Sequence, residues 1–489
     1  MKKLSIIAML VTSAISSTSN ACTTILVGNH ATVDNSYIVA RNEDRSADRA
    51  KHFILHPATH NDESIFKSHS NDFTYPNPKN GLQYTSISDY DTQNKSFGSA
   101  GFNSAGVGMS ATETVYNNDK VMEIDPYLEK TGINEDSIEN VILPRIHSAK
   151  EGVELLGHII ETQGIAEGFG VSFVDNDGIW YLETGSGHQW MAEKIPADKY
   201  FVSANQGRLT TFVPNDPNYM GAKDLVKFTK EHHLSRVARD GSFNFHQAFS
   251  QDVENDKTYN YPRVWAIQHL FTKNVGTDVA EGNQFQTFLK PTHKLSVADV
   301  ETALRHHYQD TTHDPYANQN PNEPYRPTSV FRTAESHILQ VRPDLPIAIG
   351  EVEYVAWGMP AVSVYIPFYQ GMTKVPKGYE LGTNKADDES INWKFRKLQT
   401  LAMLNWNQSY PIVAKAFKNF EQRYEVEQIK MENEYLATYK NNPVKAQSLI
   451  NTFEQNITDQ ALSLTNNLMN QLFTVTTHQV DQEYPFHGA

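Results

Sequence analysis

The chain carries one cysteine, Cys22, in 489 residues. No intramolecular disulfide can form, so its core alone must hold a chain of this length together. The position of that cysteine is as informative as its solitude. Met1-Lys2-Lys3 gives a positive start, residues 4–11 are apolar apart from Ser5, and small and polar residues lead to Ala21. An apolar run of about eight residues is too short to cross a bilayer but suits a secretory leader. Ser19 and Ala21 supply small side chains just before Cys22, which predicts cleavage after Ala21. The mature chain is then expected to be exported, secreted or periplasmic, with no membrane anchor and with Cys22 as its first residue.

That placement carries chemistry. A free thiol titrates at roughly 8.5 and an α-amine at roughly 8. A terminal cysteine therefore places a nucleophile beside a base that is substantially neutral just above neutral pH. The amine can take the thiol proton and later return it to a leaving nitrogen, with no cofactor or metal required. An amide nitrogen cannot do this, so removal of the leader would switch the site on. Arg41-Asn42-Glu43-Asp44 ends a second strand candidate, which a turn at Asp34-Asn35 folds back beside the first. Arg41 there would favour the thiolate, and Asp44 could orient the amine. A surface ion pair at a strand end accounts for the same spacing.

Further along, residues 60–94 are rich in Asn, Asp, Ser and Pro and predict a long irregular excursion. Residues 106–116 read as a strand and residues 152–163 as an amphipathic helix. Asp175-Asn176-Asp177-Gly178 between two apolar runs signals a hairpin. Residues 190–193 and 200–204 are expected to continue it as a meander. Ser296-Val297-Ala298-Asp299 resembles a capping box, opening a helix to about His307. Strands are expected again over residues 337–341, 348–356 and 362–366, and helices from about Asp388. The fold class is α+β, with a main unit over residues 22–387 and a helical part over 388–489 packed on it.

Cys22-Thr23-Thr24-Ile25-Leu26-Val27-Gly28, followed by Ala40-Arg41-Asn42-Glu43-Asp44, resembles the opening of the PepD-type dipeptidases, N-terminal-nucleophile (Ntn) cysteine peptidases. Asn103-Ser104-Ala105-Gly106-Val107, Ser110-Ala111-Thr112-Glu113-Thr114, residues 180–190, Ser203-Ala204-Asn205-Gln206, Tyr261-Pro262-Arg263-Val264-Trp265 and Ser336-His337-Ile338-Leu339-Gln340 extend the match. The resemblance covers the chain to about Gly371 and implies an αββα sandwich that hydrolyses dipeptides without a metal. It maps Cys22 to the nucleophile and its amine to the base, with Arg41 and Asp44 beside them. Asn205 corresponds loosely to an oxyanion-hole asparagine of related acylases. Where those acylases have a second such asparagine, this chain has Thr112-Glu113, which leaves the second donor open.

Arg263 is a candidate for a substrate carboxylate or for a structural ion pair. Glu183 and His188 offer an acid–base or substrate-binding pair, or a hairpin edge of satisfied polar groups. Trp180 and Trp190 suit core or pocket wall. A formal charge of -15 argues against a nucleic-acid partner. No H-E-x-x-H or G-x-S-x-G string is present, which argues against a zincin or a serine hydrolase of that type. Two alternatives stand beside the dipeptidase: an acylase for a non-peptide amide, and a non-enzymatic lipoprotein anchored through Cys22. The sequence leaves a homo-oligomer open.

Overall fold

The computed structural model describes residues 22–91, 97–276 and 279–484. The leader expected over residues 1–21 lies outside the described residues. Two antiparallel sheets dominate. In the first, the interior strand Thr23–Val27 pairs on one side with Tyr37–Asp44 and on the other with Tyr200–Ser203. Tyr37–Asp44 pairs in turn with Thr333–Val341, and Glu351–Trp357 and Ile366–Tyr369 complete that side. The second sheet runs Tyr219–Gly221, Trp190–Lys194, Gly178–Thr184, Phe169–Asp175, Gly108–Thr114, Ala100–Phe102.

Strand alternation assigns the two faces of the first sheet. Ile25, Val27, Ile38 and Ala40 pack into one core with the helices Tyr261–Phe271, Val297–Leu304 and Ile391–Leu404. Leu26 and Val39 point the other way, into a core shared with the second sheet. That sheet's outer face is covered by Ala149–Gln163, which is capped by Ser148 and places Val153, Leu156, Ile159 and Ile160 against it. The layers are helix, sheet, sheet, helix. The long helices Trp406–Thr438 and Pro443–Glu483 contribute Phe417, Phe420, Ile450 and Ile457 to the same core as Val352 and Tyr354 of the first sheet.

Several expectations need correction. Tyr200–Ser203 does not continue the meander; it crosses to the first sheet and pairs with Thr23–Val27. Alternating apolar residues specify a strand but not which of two sheets it joins. Residues 60–91 are less irregular than expected, because Tyr84–Asp89 pairs with Lys51–His56, and residues 92–94 of that expected stretch lie outside the described residues. The strand expected at 348–356 begins as a helical turn, Ile347–Gly350, and becomes extended only at Glu351. Pro360–Val362 is a short 3-10 turn, and the final strand follows it at Ile366–Tyr369. Val297–Leu304 has the full reciprocal capping box of Ser296 and Asp299, but stops before His307.

Candidate active site

Three atoms of Cys22 are gripped, each by a different element. Its backbone N donates to Asn205 Oδ1 at 3.2 Å. Its Sγ accepts from Arg41 Nη1 at 3.2 Å. Its carbonyl O accepts from Arg263 Nη1 at 2.5 Å. The residue is fully buried.

Alternation explains the division of labour. Cys22, Thr24 and Leu26 share the face toward the second sheet, as do Val39, Arg41 and Glu43 on the neighbouring strand. Thr24 lies opposite Arg41, and Arg41 opposite His337, so these side chains form a row across the sheet. Arg41 donates from Nη1 to Thr112 O at 2.8 Å and from Nη2 to Ala111 O at 2.7 Å and Ser99 O at 3.2 Å. The second sheet changes register between Ala111 and Glu113, and this bulge brings two successive carbonyls to the guanidinium. Arg41 Nε donates to Ser110 Oγ at 3.2 Å. With the bond to Sγ, all five N–H donors of Arg41 are in use.

Behind Arg41 stands a buried relay absent from the expected site. Ser110 Oγ lies 2.9 Å from His337 Nε2, and His337 Nδ1 lies 3.1 Å from the Glu335 carboxylate. Ser99 Oγ also donates to Glu335 at 2.9 Å. A neutral imidazole protonated on Nδ1 satisfies every partner: it donates to Glu335 and accepts the Ser110 hydroxyl, whose oxygen receives Arg41 Nε–H.

Asn42 and Asp44 point to the opposite, helix-bearing face, where Asn42 Nδ2 donates to Leu304 O and Thr328 O at 3.0 Å each. Asp44 accepts from Arg326 and from Thr333 Oγ1. The hydrogen bond of Cys22 N runs to Asn205 rather than to Asp44. Asn205 itself is fixed to the helix layer, with Asn260 Nδ2 donating to Asn205 O at 3.0 Å and Asn205 N donating to Asn260 Oδ1 at 3.2 Å.

Arg263, on the helix Tyr261–Phe271, is equally committed. Besides Cys22 O it donates to Thr23 Oγ1, Asn205 Oδ1, Asn260 Oδ1 and Tyr259 O, between 2.7 and 3.0 Å. Five donors meet five protein acceptors, so the expected substrate carboxylate would have to displace one of them. The geometry makes Arg263 a clamp on the backbone of Cys22. His188 binds Asp125 through Nδ1 at 2.8 Å, and Glu183 accepts from Arg208 N and Leu209 N. Neither shares a hydrogen bond with Cys22, Arg41 or Arg263. Trp180 and Trp190 are buried in the core between the sheets and the outer helix.

Burial pushes the Cys22 thiol well above its ordinary range; Arg41 opposes that, while Glu113, Glu135 and Asp44 add to it. The ground state is a neutral thiol beside a fixed cation. Burial also pushes the Glu113 carboxyl up to about 7. It lowers Arg263 to about 10, with Arg326 adding to the effect. Arg41 moves the other way: burial works against its charge, but Cys22, Glu43, Glu335 and Glu135 outweigh it.

Stacked antiparallel sheets flanked by helices, with an arginine-gripped cysteine starting an interior strand, define a cysteine-type hydrolase of Ntn-like fold. The model of peptidase family C69 matches residues 21–419. A probable dipeptidase of Salmonella dublin is 58% identical over 363 residues, covering 74% of this chain and 84% of the relative. A probable dipeptidase of Latilactobacillus sakei is 36% identical over 378 residues, covering 76% and 79%. Dipeptidase A of Lactobacillus helveticus is 32% identical over 474 residues, covering 92% and 96%. The chain belongs to peptidase family C69.

Proposed function

We propose that the protein is an exported dipeptidase in which Cys22, freed as the first residue by removal of residues 1–21, is the nucleophile and its α-amine the base. The observation that carries this is the triple grip on Cys22, which fixes nitrogen, carbonyl and sulfur at once and so presets amine and thiol relative to each other.

The amine takes the thiol proton as sulfur attacks the scissile carbonyl carbon. The C–S bond forms, and Arg41 holds negative charge on sulfur as it develops. Asn205 is the candidate donor to the carbonyl oxygen, which becomes the oxyanion. On collapse the C–N bond breaks, the ammonium returns its proton to the departing amino group, and the second residue leaves. Water, deprotonated by the amine, then cleaves the thioester and releases the first residue. Because the buried thiol is neutral at rest, deprotonation and attack belong to one event, and the rate should rise with pH as the α-amine loses its proton at roughly 8.

Space for the leaving residue is offered by a cavity of about 730 Å3 whose wall includes Tyr259, Tyr316, Tyr325, Arg326 and Trp406. It adjoins the site through two groups: Tyr259 O accepts from Arg263, and Arg326 grips Asp44. Location in the periplasm or outside the cell rests on the leader alone. Comparing Cys22→Ala with wild type on a dipeptide panel tests the mechanism. Loss of at least about 10,000-fold in kcat is expected, with the unfolding temperature kept; an active Cys22→Ala protein rules the nucleophile out.

A further inference from the structure

Glu113 is a buried carboxyl near Cys22 to which the mechanism above gives no task. It stands on the strand Gly108–Thr114 of the second sheet and reaches across to the first, where its Oε2 accepts from Thr24 Oγ1 at 2.7 Å. Its Oε1 is buried and has no hydrogen-bond partner among the described residues. Thr24 is two residues from Cys22 on the same face, about one strand repeat or roughly 7 Å along the strand, and its bond to Glu113 places the carboxyl on the same side of the sheet as the Cys22 sulfur. After Arg41, Glu113 is the strongest electrostatic influence on the thiol. A fully enclosed carboxyl with an idle oxygen beside a nucleophile is costly to ionise unless a cation arrives.

We propose that Glu113 is the anchor for the substrate's α-ammonium group, and thereby selects substrates with a free amino terminus. This rests on the dipeptidase reading and deepens it. In a dipeptide the ammonium nitrogen lies two bonds from the scissile carbonyl carbon. An attack distance of roughly 3–3.5 Å and a charged hydrogen bond of about 2.8 Å then span about one such strand repeat. A neutral acyl chain has nothing to offer Oε1 and would leave it buried and unmatched.

The groups that act on Glu113 or pack near it come from four directions, Arg41 and Cys22 from its own side of the first sheet, Asp44 and Arg263 through the sheet from the helix side. Arg41 and Asp44 lie on the strand beside Thr24, and Cys22 on the same strand as Thr24. Arg263 comes from the helix layer. Tyr181 lies over Gly170, the Cα partner of Glu113, its hydroxyl 2.0 Å from where a Cβ on that glycine would sit. Arg41 and Arg263 are both fully engaged with other acceptors, so neither occupies Oε1. Burial raises Glu113 to about 7, which leaves it poised to ionise when an ammonium group enters.

The test compares an alanyl dipeptide with its desamino analogue, the propionyl amide of the same second residue. Wild type should favour the dipeptide strongly. In Glu113→Gln, which keeps an acceptor for Thr24, kcat/KM for the dipeptide should fall on the order of 100-fold further than for the analogue, mainly through KM. An undiminished preference for the free amine overturns the assignment. So does an equal loss on both substrates, the result expected if Glu113 is structural or donates to the oxyanion. A second measurement needs no variant: alaninamide should protect wild-type Cys22 from iodoacetamide, and propionamide should not. Equal protection by the two overturns the anchor. A wild-type protein that hydrolyses the propionyl amide but no dipeptide would instead refute the dipeptidase reading, so the two failures are told apart.

Discussion

Two buried arginines flank Cys22 from opposite sides of one sheet, and on the proposed mechanism the contrast between them separates what organises the nucleophile from what drives it. Arg263 lies on the helix side and spends its donors on two backbone carbonyls, a threonine hydroxyl and two asparagines. Arg41 lies between the sheets and directs one donor at sulfur itself. The surroundings differ to match. Cys22 itself, with Glu43, Glu335 and Glu135, outweighs the burial of Arg41 and holds its charge, whereas burial, with Arg326 as a neighbour, lowers Arg263 to about 10. A clamp needs five well-placed donors; a partner for a developing thiolate also needs an undiminished charge.

The sharpest break of this contrast is Arg41→Met. It should lower kcat roughly 1,000-fold with a smaller change in KM, and move the pH profile of iodoacetamide alkylation at Cys22 upward. Arg263→Gln should lose less activity, roughly 100-fold, and leave the alkylation profile in place. Both should cost about 3 kcal/mol in denaturant unfolding, because each strands several buried acceptors. Unfolding therefore cannot distinguish them, and the alkylation profile can. If Arg263→Gln shifts that profile as far as Arg41→Met, the division into clamp and charge is wrong.

The relay refines the Arg41 side. Ser110→Ala and His337→Gln should each reduce kcat about tenfold, and the double variant should lose no more than either single one if the hydrogen bond through Ser110, rather than Glu335, carries the effect of His337 to Arg41. Additive losses would show that His337 acts through some other route.

The smallest effect belongs outside both forks. Glu183, enclosed and accepting from Arg208 N and Leu209 N, is raised by burial to about 7. A carboxyl raised on folding adds stability that is complete below its unfolded value of about 4.3 and is lost as pH rises through about 7. The unfolding temperature of wild type relative to Glu183→Gln should therefore fall across that window. Activity should change little, and a large loss would return Glu183 to the site.

Much of this site is legible in the chain. A lone cysteine, a strand, a turn and a second strand ending in Arg-Asn-Glu-Asp bring Cys22 and Arg41 together. Alternation also says that Arg41 and Asp44, three residues apart, face opposite ways, Arg41 toward the Cys22 sulfur and Asp44 toward the helix layer. Glu335 and His337 share a face by the same rule, so their contact was readable. Their coupling to Ser110 was not, since it depends on how two sheets stack. Nor was the role of Arg263, since nothing local says which acceptors a docked helix will meet. The crossing of Tyr200–Ser203 between sheets, which delivers Asn205 to Cys22, is likewise a long-range choice among equally good strand partners.

The most direct test of Cys22 as a terminal nucleophile is the intact mass of the exported, active protein before and after inactivation by iodoacetamide. The predicted result is a chain that begins at unmodified Cys22 and gains one carbamidomethyl group in step with the loss of dipeptide hydrolysis. An active chain that keeps residues ahead of Cys22, or carries lipid on it, would contradict the mechanism, because its nitrogen could not serve as the base.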